Sequence, residues 1–125
     1  MTNNVFVYGT LKRSHGNNGM LGDSEFLGTG CTRRKFALYE DGLPYLIDDP
    51  ISPIGGEVYS VTDETLQRLD ALEGHPDWYN RKKILVCIPA TGSCIECWTY
   101  FLITKLPIGA RLNKTGNYKR ELSWK

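Results

Sequence analysis

The chain has 125 residues, 41% of them hydrophobic and 23% charged, which is the composition of ordinary globular proteins and excludes disordered or fibrous ones. Fifteen basic residues against fourteen acidic ones leave a formal net charge of +1, so no overall field draws the chain to nucleic acid or to an anionic membrane. No apolar run approaches the ~20 residues needed to cross a bilayer.

Residues 1–125 read as a single domain without repeats, low-complexity stretches or an interdomain linker. The start, "M-T-N-N-V-F-V-Y-G", has neither the basic nor the apolar segment of a secretory leader, and a cytoplasmic location is expected. A first strand is expected over Asn4–Tyr8, and it stops at Gly9. That glycine has two readings: it serves a turn in which a positive φ costs little, or it bares main-chain N–H groups to a ligand. Further strands are expected at Gly28–Tyr39, Tyr45–Asp48, Gly56–Val61, Lys82–Pro89 and Cys94–Ile103, most of them rich in β-branched or aromatic residues. Lys83–Ile103 form a hairpin about Ala90–Ser93, with Gly92 in the turn, while Gly42–Pro44 and Pro50–Gly56 mark loops.

One segment, "T-D-E-T-L-Q-R-L-D-A-L-E-G", is a clear helix. Thr62 or Asp63 caps it, and Asp63 and Glu64 set acid at the positive end of the dipole. Leu66, Leu69 and Leu72 form its apolar stripe, and Gly74 is a natural residue to end it. Six strands and one helix predict an α+β fold: a small, mostly antiparallel sheet, curled or closed into a barrel, with the helix packed on it. After Leu106 the chain is basic, with Arg111, Lys114, Lys119, Arg120 and Lys125 against Glu121, and reads as a solvated tail.

Glu73 breaks a local rule. It stands at the C-terminal end of the helix, where the dipole favours a cation, at a cost of roughly 0.3–1 kcal/mol and with an upward push on the carboxyl pKa. Places where a local rule fails are enriched in function, and a carboxyl titrating near ambient pH suits a general base. The plain alternative is a frayed, solvated glutamate. Tyr79 and Arg81 enter the following strand at alternate positions and so share one face. Their hydroxyl and guanidinium could orient a carboxylate, contact a substrate or line an ordinary rim.

With "V-F-V-Y-G-T-L-K-R" near the start and "L-D-A-L-E-G" followed by Tyr79 and Arg81, the chain resembles the γ-glutamyl cyclotransferases of the γ-glutamylamine type, relatives of the plant avirulence-induced-gene proteins. "F-A-L-Y-E-D-G-L-P-Y-L" and "G-G-E-V-Y-S-V" support the resemblance, which runs in the family's order over roughly residues 4 to 103. It implies that Tyr8, Gly9, Thr10, Leu11 and Lys12 form a substrate pocket with backbone groups, and that Glu73 is the catalytic acid/base. Gly9 then ends its strand so that successive N–H groups hold a carboxylate or an oxyanion. The implied reaction is that of a lyase: a γ-glutamyl amine or peptide closes on itself to 5-oxoproline and releases an amine. It needs no metal, nucleotide or other cofactor, and its partner is a small γ-glutamyl substrate, not nucleic acid or membrane.

The chain departs from the family pattern after Arg13, where "S-H-G-N-N-G" puts Ser14 at a position usually held by glycine. The Asn role on that side of the pocket falls to Asn17 or Asn18, and Tyr118 resembles a tail tyrosine that relatives fold over the pocket. The main alternative is a non-catalytic module that binds a small ligand or a protein on the same fold. A nucleic-acid-binding barrel is disfavoured by the near-zero charge and by the lack of an aromatic–basic stripe. "C-I-E-C" has the spacing of a metal or redox pair, but in a strand Cys94 and Cys97 point to opposite faces. Cys87 is expected across the hairpin from Cys97 or its neighbour. His15 and His75 have no partner at ligand spacing, and neither substrate identity nor oligomeric state is fixed by the sequence.

Overall fold

Val5, Phe6 and Val7 are apolar at consecutive positions because both faces of their strand are covered. In the computed structural model, which describes residues 2–9, 18–22, 24–41 and 43–118, these three residues are buried. They belong to β1 (Thr2–Val7), and Val5 and Val7 pack with Leu66 and Leu69 of the helix, while Phe6 points the other way among Leu38, Leu46, Val58 and Phe101.

The remaining strands are β2 (Glu25–Thr32), β3 (Phe36–Glu40), β4 (Pro44–Ser52), β5 (Gly55–Thr62), β6 (Tyr79–Ile88), β7 (Ser93–Leu102) and β8 (Arg111–Asn113). A closed barrel is built in the order β1-β5-β2-β6-β7, and a second sheet has the order β4-β3-β8. All pairings are antiparallel except the seam between β7 and β1, which is parallel and pairs Val5 with Trp98. Between β5 and β6 lies α1 (Asp63–Glu73), so the expected α+β barrel with one main helix is the architecture observed. Thr62 caps α1, its hydroxyl accepting from the Thr65 N–H at 3.2 Å. Gly74 ends it with a left-handed φ of 68°, and the N–H groups of Gly74 and His75 close onto the carbonyls of Ala71 and Asp70.

Several boundaries differ from expectation for identifiable reasons. Gly28–Tyr39 is not one strand but β2 and β3: the Thr32 hydroxyl donates to the Arg34 carbonyl at 2.6 Å and turns the chain from the barrel into the second sheet. β4 runs on through Pro50, which was expected to be in a loop, because β4 is an edge strand where a missing N–H costs no ladder bond. A 3₁₀ turn at Asn18–Leu21 and the three-residue β8 were not anticipated, being too short to show a periodic pattern. The segment after Leu106 is therefore not simply a solvated tail: β8 pairs with β3, and Tyr118 is buried.

In the hairpin ladder Cys87 faces Cys94, not Cys97, and the two are joined by a disulfide. Cys97 faces Ile84 and is buried, on the opposite side of β7 from Cys94, while Cys31 is a free, exposed thiol. Among the described residues no cluster of His, Cys, Asp and Glu could hold a metal ion, and no helix is long and apolar enough to cross a membrane.

Candidate active site

Four segments that are distant in sequence end at one place. The last residues of β1 (Phe6 and Val7) with Tyr8 and Gly9, the start of β4 (Pro44) with Leu43 before it, the end of α1 (Leu72 and Glu73) and the start of β6 (Tyr79) with Trp78 before it line a cavity of about 190 Å³, which Tyr100 of β7 completes. Leu43 and Trp78 are half-exposed at its rim, whereas Tyr8, Tyr79 and Tyr100 are buried.

Gly9 owes its identity to close packing. A Cβ built on it would stand 2.4 Å from Pro44 Cγ, well inside van der Waals contact, so any side chain there would push β4 away from β1. Pro44 is itself held by its carbonyl, which accepts the Tyr79 hydroxyl at 2.9 Å. Tyr8 ties the other wall, donating to the Tyr100 carbonyl at 2.7 Å. The ring of Tyr79 stacks on that of Tyr45, with centroids 6.5 Å apart. Burial raises the pKa of the Tyr8, Tyr79 and Tyr100 phenols, so the walls carry neutral hydroxyls whose protons are already committed to protein acceptors.

Glu73 is the cavity's carboxylate. Burial pushes its pKa up to about 7, and among the described residues it makes no hydrogen bond or ion pair. The upward push expected from the helix dipole comes instead from loss of solvent, and two carbonyls of the last turn, those of Ala71 and Asp70, are already bonded by Gly74 and His75. A partly buried carboxyl poised near neutrality with no fixed partner can both take and return a proton.

One helical turn earlier, Asp70 is fully engaged. Its Oδ1 accepts from Arg81 Nε at 2.8 Å and from the Tyr100 hydroxyl at 2.7 Å. Arg81 also lies 4.3 Å over the Trp98 ring. Arg81 therefore does not line the cavity as its spacing from Tyr79 suggested. It shares the face of β6 but sits one row further along, beneath Asp70 rather than Glu73.

Tyr118 does not line the cavity either. The Gly55 N–H bonds to the Gly116 carbonyl, which docks the tail on β5, and Tyr118 is buried in the core cluster that holds Phe6, Tyr8 and Phe36. Thr10, Leu11, Lys12 and Asn17 lie outside the described residues, as does the side chain of Asn18. His75 accepts the Arg81 N–H on Nδ1 at 3.2 Å and acts as a strut. Neither Asp70 nor Tyr100 was among the residues predicted for the site, yet both had a signal. Asp70 precedes Glu73 by three residues on one helix face, and Tyr100 is the ladder partner of Arg81.

Comparison with known proteins shows the family. Residues 5–120 match the family described as gamma-glutamyl cyclotransferase, AIG2-like. A Methanocaldococcus jannaschii protein, itself only provisionally named a gamma-glutamylcyclotransferase, is 44% identical over 92% of this chain and 94% of its own length. The gamma-glutamylaminecyclotransferase of Rattus norvegicus is 32% identical over 94% of this chain and 89% of its own. The crystal structure of an AIG2-like protein from Mus musculus superposes with a TM-score of 0.82 at 27% identity, covering 97% of each chain. The chain belongs to the AIG2-like gamma-glutamyl cyclotransferase family.

Proposed function

We propose that this protein cyclises γ-glutamyl amines or peptides to 5-oxoproline and a free amine, with Glu73 as general acid/base. The observation that carries the reading is a partly buried carboxyl, without a hydrogen-bond or ion-pair partner among the described residues and raised by burial to about 7, in the cavity that Gly9 also lines. The substrate contains its own nucleophile, so the enzyme must select the folded conformer and move protons. Glu73 removes a proton from the α-ammonium, and the freed amine attacks the γ-carbonyl to form the C–N bond of a five-membered ring. As the tetrahedral intermediate collapses, the original C–N bond breaks, Glu73 returns its proton to the departing nitrogen, and the second proton shed by the ring nitrogen follows by the same carboxylate, so the amine leaves as its ammonium. No water is consumed. The N–H groups of the segment Gly9–Lys12 would meet the oxyanion, where one well-placed donor is worth about 3 kcal/mol.

Incubation with a panel of γ-glutamyl amines and γ-glutamyl peptides, read by mass spectrometry, should show 5-oxoproline from at least one member. Release from none, combined with ligand-dependent thermal stabilisation, would instead favour a binding module on this fold.

A further inference from the structure

One tyrosine of the cavity lining, whose phenol feels the charge of Glu73, has no part in the scheme above. This is Tyr100, which donates its only hydroxyl proton to Asp70 Oδ1 at 2.7 Å. That oxygen also accepts Arg81 Nε at 2.8 Å, so the carboxylate is held from two sides and its charge is matched. A phenol whose proton is committed elsewhere has only lone pairs left to offer, and it acts as an acceptor toward anything that enters the cavity. Tyr100 is further restrained because its backbone carbonyl accepts the Tyr8 hydroxyl and its strand position is paired with Arg81 itself.

We infer that Asp70 and Arg81 are positioning residues that lock Tyr100 as a hydrogen-bond acceptor for the substrate's α-amino group, beside the carboxylate of Glu73. This rests on the cyclotransferase reading. The α-ammonium carries several N–H donors, of which Glu73 removes one. A second N–H held by Tyr100 Oη keeps the resulting amine from rotating and turns its lone pair toward the γ-carbonyl. The contribution is to the orientation of the nucleophile after deprotonation, so it is felt in kcat more than in KM. Were the hydroxyl free to rotate, its proton could point into the cavity and oppose an ammonium.

The test is a double-mutant cycle on steady-state 5-oxoproline release, with thermal unfolding followed on every variant. Tyr100→Phe keeps the ring and deletes only the oxygen, and it should lower kcat roughly ten- to hundredfold with KM changed by no more than about threefold. Asp70→Ala should give a similar kcat loss, whereas Asp70→Asn retains a carbonyl acceptor and should recover most of it. Because Asp70 acts through the Tyr100 oxygen, Asp70→Ala combined with Tyr100→Phe should cost no more than the worse single change. Multiplying losses in the double variant, or wild-type kcat in Tyr100→Phe, would overturn the inference while leaving the cyclotransferase reading intact. A wild-type protein that releases no 5-oxoproline from any substrate of the panel overturns both.

Discussion

The end of α1 holds two carboxylates, three residues apart, in opposite surroundings. Asp70 faces Arg81 and Tyr100 and accepts from both; Glu73 faces a cavity walled by Tyr8, Gly9, Pro44 and Tyr79 and has no fixed partner among the described residues. Burial raises the Glu73 carboxyl to about 7. Carboxyls placed in such contrasting environments divide the labour of a site, one holding structure and the other exchanging protons. What separates them is one row of β6: Arg81 reaches Asp70, and Tyr79, which brings no charge, stands in the row of Glu73.

The strongest way to break this comparison is to remove Glu73, the member proposed to exchange protons. Glu73→Gln keeps the shape and should lower 5-oxoproline release by about 10²–10⁴-fold, the range for loss of a general acid/base. A variant with near wild-type turnover would show that the base lies elsewhere. Next in size is the pH dependence of stability. The folded-state pKa of Glu73 is raised from 4.5 to about 7, so the folded protein binds the proton more tightly than the unfolded chain does. Its contribution is complete below about 4.5 and is lost as pH rises through about 7, a change on the order of 3 kcal/mol. Urea unfolding between pH 4.5 and 8 should therefore show wild type losing stability relative to Glu73→Gln, with the two converging at the acid end. In steady-state assays over the same pH range kcat/KM should rise as pH passes about 7, because the proposed base can accept the ammonium proton only when ionised.

The two carboxylates were unequally legible from sequence. Glu73 stood out because it contradicts its own helix end, and the glycine after it marked where that end falls. Asp70 looked like any solvated residue of an amphipathic helix, since a helix sequence does not say which strand row lies beneath it. The same blindness sent Arg81 to the cavity: alternation fixes the face shared with Tyr79 but not what covers each row. Gly9 was legible as a special position, yet its cause was hidden, because the proline that excludes a side chain comes from 35 residues further along. The barrel strands were readable because burial makes continuous or alternating apolar runs; β8, at three residues, is too short to leave such a pattern.

Gly9→Ala sharpens the contrast from the opposite wall. The new Cβ would meet Pro44 Cγ at 2.4 Å, and the proline ring cannot swing aside without carrying its carbonyl away from the Tyr79 hydroxyl. Overpacking of this kind costs typically 1–3 kcal/mol, which denaturant unfolding would register. Activity should fall further than stability alone explains, since the cavity wall beside Glu73 moves. An alanine variant with wild-type stability would mean that β1 and β4 separate easily.

The smallest effect is expected from cutting the charge partner on the structural side. Arg81→Gln removes the Nε donor to Asp70 and the cation stacked on Trp98, leaving Asp70 with the Tyr100 hydroxyl. The pair is only partly buried, at 22% and 18% side-chain exposure, so solvent screens it and the loss should be about 1 kcal/mol. Adding salt should narrow the gap between wild type and variant, because an exposed fraction of the attraction is already screened in the wild type. Arg81→Lys keeps the cation but not the planar fork, and it should fall between the two. If Arg81→Gln instead cost as much activity as Glu73→Gln, the two carboxylates could not be doing different work, and the single row of β6 that separates them would not be the boundary between structure and chemistry.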